Sequence, residues 1–157
     1  MNTPIIPRDL AKQAPHSPRE RLAGFAIASR AVDKCRASAA GTLGDYHYDC
    51  PLDNMLFSFK GITGVQFKKI LPSFKNYEDA GEWLQTNGNR KSPEQIKAWS
   101  DSVEVNKLKD VMAQKDAEHR REVQESCERL GLDFGTATLF EWLEADDQAT
   151  FHHEMAH

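Results

Sequence analysis

Helix-start signals recur along the chain, and they constrain its fold more than any other sequence feature. Residues 17–20 and 92–95 each read Ser-Pro followed, three residues after the Ser, by Glu or Gln. This capping box starts a helix, with Pro at the first helical position. After such starts, apolar residues return every three or four positions, and no segment alternates apolar and polar residues long enough to form a strand. The sequence therefore predicts an all-α protein.

The pattern predicts a single compact bundle of roughly six or seven helices with no significant sheet. The first helix is expected to run from Ser17 to about Ala40 and to stop at Gly41. Residues 102–130 are expected to form one long helical stretch, broken at most once. The other predicted helices begin near Pro51, Thr63, Asn76, Ser92 and Thr138.

Length and composition indicate one globular domain. The chain has 157 residues, 39% of them hydrophobic, and a formal net charge of -4, which excludes a disordered chain. Three prolines within residues 1–16 favour an extended N-terminal arm. We assign residues 17–151 to a single helical domain and residues 152–157 to a His-rich C-terminal tail.

The charge balance limits the expected partners. With 20 basic and 24 acidic residues, the chain has no overall attraction to nucleic acid or to an anionic membrane surface. Its three cysteines include no CxxC pair, and the N-terminal sequence lacks a secretion signal, so we expect a reducing, cytoplasmic location. No cofactor is predicted, and the sequence does not define an oligomeric state.

Three stretches of the chain together resemble a known family. They are residues 17–20 continuing to 30–37, residues 41–53, and residues 131–133 followed by 138–147. In order and spacing they resemble a bacterial family catalogued only as domain of unknown function 5069, over most of the chain from about residue 15 to residue 147. The resemblance implies a small bacterial protein, and it implies no activity, cofactor or site residue.

Charged residues on the core-facing side of the first predicted helix mark the main candidate site. Asp33 and Arg36 fall in the same helical arc as Phe25 and Val32. Because a buried charge is costly unless it is paired, we expect Asp33 to pair with Arg36 or Arg30. With the adjacent loop and the next helix start, the ligand-binding candidates are Arg30, Asp33, Lys34, Arg36, Tyr46, His47, Tyr48 and Asp53.

Two interpretations of this cluster stay open. In the functional one, Arg30 or Arg36 holds an anionic ligand and His47 or Tyr46 handles a proton. In the structural one, which we favour, buried ion pairs and hydrogen bonds fasten the loop to the bundle. If the cluster is functional, we expect a module that binds a small molecule or a protein partner rather than an enzyme. The alternative is a small-molecule enzyme that uses the same residues.

A formal zinc motif lies at the C-terminus. Residues 153–157 read His-Glu-Met-Ala-His, the spacing in which two His ligate zinc while Glu acts as general base. A catalytic zinc needs a third protein ligand, and the chain offers none after His157. We therefore expect no metal site, and keep a zinc hydrolase that uses His153 and His157 as a remote alternative.

Cys50 is a second residue whose type suggests chemistry. It precedes Pro51 at a predicted helix N-terminus, where a thiolate is favoured, and His47 lies three residues earlier. Neighbours at this spacing in a loop rarely have the geometry of a nucleophilic pair. We expect Cys50 to be a small buried apolar residue.

Overall fold

The computed structural model describes residue 5 and residues 8–155, with the backbone alone for residues 152–155. Within these residues the prediction of an all-α fold is confirmed, since the sole extended pairings are two isolated bridges. None of the described helices is long and apolar enough to cross a membrane. The helices are α1 (Ala28–Ala40), α2 (Pro51–Lys60), α3 (Gly64–Ile70), α4 (Tyr77–Thr86), α5 (Pro93–Glu104), α6 (Leu108–Met112), α7 (Ala117–Leu130) and α8 (Leu139–Met155), and a 3-10 turn covers Leu71–Ser73.

The chain divides into two compact units, Met1–Ser100 and Asp101–His157. In the first unit, α1 packs against α2, α3 and α4. In the second unit, α8 packs against α6 and α7. The candidate residues of α1 and of the 41–53 loop all belong to the first unit.

Most predicted helix starts are confirmed by their capping contacts. At α3 the Thr63 hydroxyl accepts from the Gln66 N–H at 3.1 Å, and the Gln66 side chain accepts from the Thr63 N–H at 2.9 Å. The same reciprocal contacts join residues 92 and 95, and residues 138 and 141. These starts are predictable because a capping box involves only four consecutive residues.

The predicted start of the first helix is wrong. The helix begins at Ala28, and residues 17–27 form successive turns instead. The Ser17 hydroxyl accepts from the N–H of Arg19, two residues on, which is the geometry of a serine turn rather than of a helix cap. Gly24 has a φ of 87°, a left-handed conformation that interrupts any helix. The apolar spacing at Phe25 reflects burial within these turns.

The long helical stretch predicted over residues 102–130 is interrupted twice. It consists of the end of α5, then α6, then α7. At the first break, Lys107 pairs with Thr138 in an isolated bridge, which requires extended backbone. At the second break, the Asp116 side chain accepts from the His119 N–H at 2.8 Å and caps α7. The sequence expectation of at most one break is therefore wrong.

Lys60 is a fully buried lysine at the end of α2. Its Nζ donates to the Asn89 carbonyl at 2.6 Å and lies 5.8 Å from the centre of the Phe25 ring. In return the Asn89 N–H donates to the Lys60 carbonyl at 2.5 Å. Burial lowers the pKa of Lys60, and the nearby charge of Lys91 lowers it further. The ammonium connects the loop after α4 to α2. Burial of its charge makes an unfavourable contribution to the free energy of folding.

We expect this cost to depend on pH. Because the folded chain releases the Lys60 proton at a lower pH than the unfolded chain, the unfolded chain binds more protons between the two pKa values, and stability rises with pH there. The contribution of Lys60 should therefore become more favourable as the pH rises from the folded pKa towards 10.5, its ordinary value. Urea unfolding of the wild type and of Lys60→Met over this range measures the difference. A difference that is the same at every pH would contradict the expectation.

Candidate functional site

Three charged residues of α1 are buried in the first unit, and of these only Asp33 had been placed on the core-facing arc by its helical phase. Arg30, Asp33 and Lys34 are 3%, 2% and 3% exposed. A buried charge is tolerated only where other groups compensate it. The contacts of these three side chains therefore indicate whether their role is structural or functional.

The Asp33 carboxylate is held by three hydrogen bonds. One oxygen accepts from the His16 backbone N–H at 2.7 Å and contacts His16 Nδ1 at 2.5 Å, and the other accepts from the Tyr77 hydroxyl at 2.5 Å. The sequence predicted Arg36 or Arg30 as the partner of Asp33; the pairing with Arg36 is wrong, and Arg30 donates to the His16 carbonyl beside it. Because residues 17–27 turn back instead of extending α1, they bring His16 over the carboxylate. Burial, and then the bond to Asp33, raise the pKa of Tyr77.

Two arginines complete the surroundings of His16. Arg30 donates to the His16 carbonyl at 3.2 Å, and its guanidinium lies 5.5 Å from the centre of the Tyr46 ring. Arg8 contacts His16 Nε2 at 3.2 Å. A guanidinium can only donate, so Nε2 of a neutral ring would accept in this contact, and the Glu20 carboxylate lies 3.7 Å from the same nitrogen. The arrangement orients the imidazole from both sides.

Lys34 and Asp53 form the second buried pair. Lys34 Nζ lies 3.0 Å from Asp53 Oδ1 and donates to Cys50 Sγ at 3.2 Å. The other Asp53 oxygen accepts from the Asp49 N–H at 2.9 Å. The pair thus joins α1 to the N-terminus of α2 and to the loop before it. This supports the structural interpretation for Lys34 and Asp53.

A groove lined by both polar and apolar groups lies at the 41–53 loop, and we call it the loop groove. Its volume is about 380 Å³. Lys68 of α3 donates to the Ser38 hydroxyl of α1 at 2.7 Å across it. The predicted residues His47 and Tyr48 contribute to the lining. The lining residues are Ser38, Leu43, His47, Tyr48, Asp49, Gly64, Val65 and Lys68.

Close contacts shape one side of the loop groove. Asp49 has a φ of 62°, and its carboxylate accepts from the Asn54 side chain at 2.9 Å. A Cβ at Gly64 would overlap this carboxylate, so a larger residue there would require the Asp49 side chain to move. The Tyr48 hydroxyl donates to the Gly64 carbonyl at 2.7 Å. These contacts place α3 directly against the loop.

Tyr48 and Cys35 are protonated partners beneath the loop groove. Burial raises the pKa of Cys35 to about 11, although a hydrogen bond with Tyr48 opposes the rise. Burial also raises the pKa of Tyr48, and the neighbouring Cys35 raises it further. Both groups therefore keep their protons near neutral pH. Tyr48 uses its single proton in the bond to the Gly64 carbonyl, and it is a poor general base.

The structure brings some predicted residues together and separates others. Lys34 meets Asp53, Arg30 meets Tyr46, and His47 lies with Tyr48 on the loop groove. Arg36 is half-buried, and within the described part of the chain its buried Nε has no hydrogen-bond partner. The site residues that sequence reasoning missed include Ser38, which lies on α1 itself, and three residues that no local pattern marks because they approach from other elements: His16, Lys68 and Tyr77.

A second cavity of about 460 Å³ lies outside the predicted cluster, between α2, α3 and the end of α4. Its walls combine apolar side chains with amides and one lysine. No sequence pattern had marked it. The lining residues are Gly61, Ile62, Gln66, Lys69, Ile70, Trp83, Asn87 and Gly88.

The structure does not test the C-terminal zinc motif. The side chains of His153 and His157 lie outside the described residues. Among the residues that are described, no group of three or more His, Cys, Asp or Glu side chains is placed to hold a metal ion.

The chain matches one protein family over most of its length. The family model is described as Domain of unknown function (DUF5069), and it matches residues 12–149. The matched region includes His16, Arg30, Asp33, Lys34, Asp53 and Tyr77, and the whole loop groove, whereas Arg8 lies outside it. No curated protein matches the chain.

Proposed function

Because this chain belongs to the DUF5069 family, whose description names no activity, we propose from its geometry alone that it binds a small organic anion in the loop groove. The observation that supports this most strongly is the position of Lys68, an exposed lysine that lines this groove. His47 and Tyr48 lie on the same groove. Binding, rather than catalysis, is the proposed role.

The charges of the loop groove favour an anion. The Asp49 carboxylate is engaged by Asn54 and packs against Gly64. The Lys68 ammonium has three donors, and its contact with Ser38 uses one. The groove therefore holds one charge of each sign, and the two remaining Lys68 donors are the groups that would bind an anion. A carboxylate is the simplest group that fits this ammonium.

The residues of the buried pairs do not line the groove. They stabilise the elements next to it. Lys34 and Asp53 hold the start of α2, and the Asp33 contacts hold His16 against α1. Such contacts keep the groove-lining loop in one geometry before a ligand arrives. We propose that the protein needs no cofactor, that its location is cytoplasmic and its origin bacterial, and that its partner is a small molecule rather than nucleic acid or membrane.

Titration calorimetry with succinate, glutamate and their neutral amide counterparts tests the proposal. A charge-assisted hydrogen bond contributes about 1.5–3 kcal/mol, so loss of Lys68 should weaken carboxylate binding about tenfold to a hundredfold. We expect Lys68→Ala to show this loss. Lys69→Ala is the matched control, since the neighbouring lysine lines the other cavity. The proposal fails if no carboxylate binds, or if both variants bind equally well.

A second candidate function is acid–base catalysis at His16. The favouring observation is the 2.5 Å contact between Asp33 and His16 Nδ1, which orients the ring as an Asp–His pair does in hydrolytic enzymes. Against it, the outward nitrogen is engaged by Arg8, and His16 lines neither of the two described cavities. We therefore place catalysis second. The residues of this candidate, His16 and Asp33, replace His47 and Tyr46 as the acid–base groups expected from the sequence.

A further inference from the structure

Unused binding groups outside the loop groove are found at the second cavity, between α2, α3 and the end of α4. Its volume of about 460 Å³ lies within the range of roughly 300–1,000 Å³ that is typical of small-molecule sites. Cys50 has no comparable space beside it. That residue is half-buried rather than buried as its type suggested, it lines neither described cavity, and its sulfur already accepts from Lys34. The second cavity is therefore the stronger candidate for a further ligand site.

One wall of this cavity is backbone in a fixed position. Gly88 has a φ of 70°, and a Cβ there would overlap the Lys60 carbonyl and the Ile62 side chain. The next residue, Asn89, exchanges hydrogen bonds with Lys60, whose side chain is fully buried. The fold itself therefore holds the chain after α4 against the end of α2, and this wall does not depend on a ligand.

The apolar wall of the cavity suits a flat ring. Trp83 is half-buried and lines the cavity together with Ile62 and Ile70. The ring centres of Phe67 and Phe74 lie 5.9 and 6.4 Å from that of Trp83, and these contacts orient the indole. An indole held in this way offers a ligand a large contact surface at a small cost in side-chain entropy.

Two polar side chains of the lining keep binding capacity that the described part of the fold does not use. Gln66 accepts the Thr63 N–H through Oε1, and its two amide hydrogens make no contact with another described residue. Lys69 makes no hydrogen bond or ion pair with any residue that the structure describes. Since Gln66 and Lys69 lie three residues apart on α3, their side chains are neighbours on one helix face.

The charge of the lining favours an anion. Of the eight described residues that line the cavity, Lys69 alone is charged. The loop groove, by contrast, contains the Asp49 carboxylate as well as the Lys68 ammonium. An ammonium beside an apolar wall is complementary to a ligand that carries a carboxylate on an apolar body.

We propose that this cavity binds aromatic monocarboxylates, with the ring against Trp83 and the carboxylate on Lys69 and the Gln66 amide. Lys69 contributes the charge, and Gln66 contributes a second donor. The small dicarboxylates used to test the loop groove have no ring to place against the indole, so they are not ligands of this class. The two sites are independent, and neither proposal depends on the other.

Isothermal titration calorimetry of the native full chain with phenylacetate and with its neutral counterpart, phenylacetamide, tests this proposal. A hydrogen bond to a charged group changes affinity by about tenfold or more, so phenylacetamide should bind at least about tenfold more weakly. Lys69→Ala should lose phenylacetate affinity by a similar factor. Lys75→Ala is the matched control, since Lys75 is exposed and lines neither cavity. Absence of phenylacetate binding, or equal affinity of the two lysine variants, would overturn the proposal.

Tryptophan fluorescence locates the bound acid. Phenylacetate should change the emission of the wild type, and the change should disappear in Trp83→Phe, which keeps an aromatic ring at this position. Trp99→Phe should retain the change, because Trp99 stacks on Phe59 and lines neither cavity. An emission change that persists in Trp83→Phe would overturn the placement, as would a loss of phenylacetate affinity in Lys68→Ala but not in Lys69→Ala. Because Lys69 and Lys75 are exposed, the calorimetric comparison of their variants decides the proposal even if Trp83→Phe does not fold.

Discussion

Replacing Asp33 with alanine is expected to lower the free energy of unfolding by about 3–5 kcal/mol, the cost of removing one partner from a buried charged network. The carboxylate is 2% exposed and accepts three hydrogen bonds. Without it, the backbone and side chain of His16 and the hydroxyl of Tyr77 lose their acceptor inside the fold. Chemical unfolding with urea measures the change.

Asp45→Ala provides the control for this prediction. Asp45 lies on the exposed 41–50 loop, and substitutions of such surface residues change stability by about 0.5 kcal/mol or less. Asp33→Asn adds an intermediate case, because an amide keeps one acceptor oxygen. If Asp33→Ala unfolds at the same urea concentration as Asp45→Ala, the Asp33 contacts do not stabilise the fold.

Replacing Phe67 with alanine is expected to cost about 3–5 kcal/mol, the range for truncation of a buried aromatic residue. Phe67 is fully buried, and its ring centre lies 5.4 Å from that of Phe57, 6.2 Å from Phe74 and 5.9 Å from Trp83. It therefore attaches the seven-residue α3 to three other segments of the first unit. Because α3 carries Lys68, we also expect loss of carboxylate binding at the loop groove.

Val65→Ala is the matched control on the same helix. Val65 is 72% exposed, so its truncation removes little buried surface. Its urea midpoint should stay near that of the wild type. Thermal and urea unfolding of the two variants, measured side by side, check the comparison. Equal destabilisation by the two truncations would show that the aromatic contacts of Phe67 contribute little.

Two segments that were predicted to be helical, residues 17–27 and the region of Lys107, show why local sequence patterns can fail. Residues 17–20 satisfy the composition of a capping box, yet the Ser17 hydroxyl binds the N–H two residues on and no helix follows until Ala28. The choice depends on contacts made elsewhere: the Gly24 carbonyl and the Ala26 N–H both bind the Ser100 hydroxyl. Lys107, likewise, leaves a helical pattern to pair with Thr138.

The sequence by itself determined the helical class, most helix starts and the burial of Asp33 on α1, because capping and periodicity act within about one or two turns of helix. Only the tertiary structure decided which groups meet those charges. Asp33 binds His16, 17 residues away, and Tyr77, 44 residues away, while Lys68 reaches Ser38 across 30 residues. Such pairings follow from how the helices and turns pack. Many residue types could donate a hydrogen bond to a buried carboxylate, so residue type alone does not identify the partner. Residue type and spacing predict that a buried charge needs a partner, and only packing selects the partner.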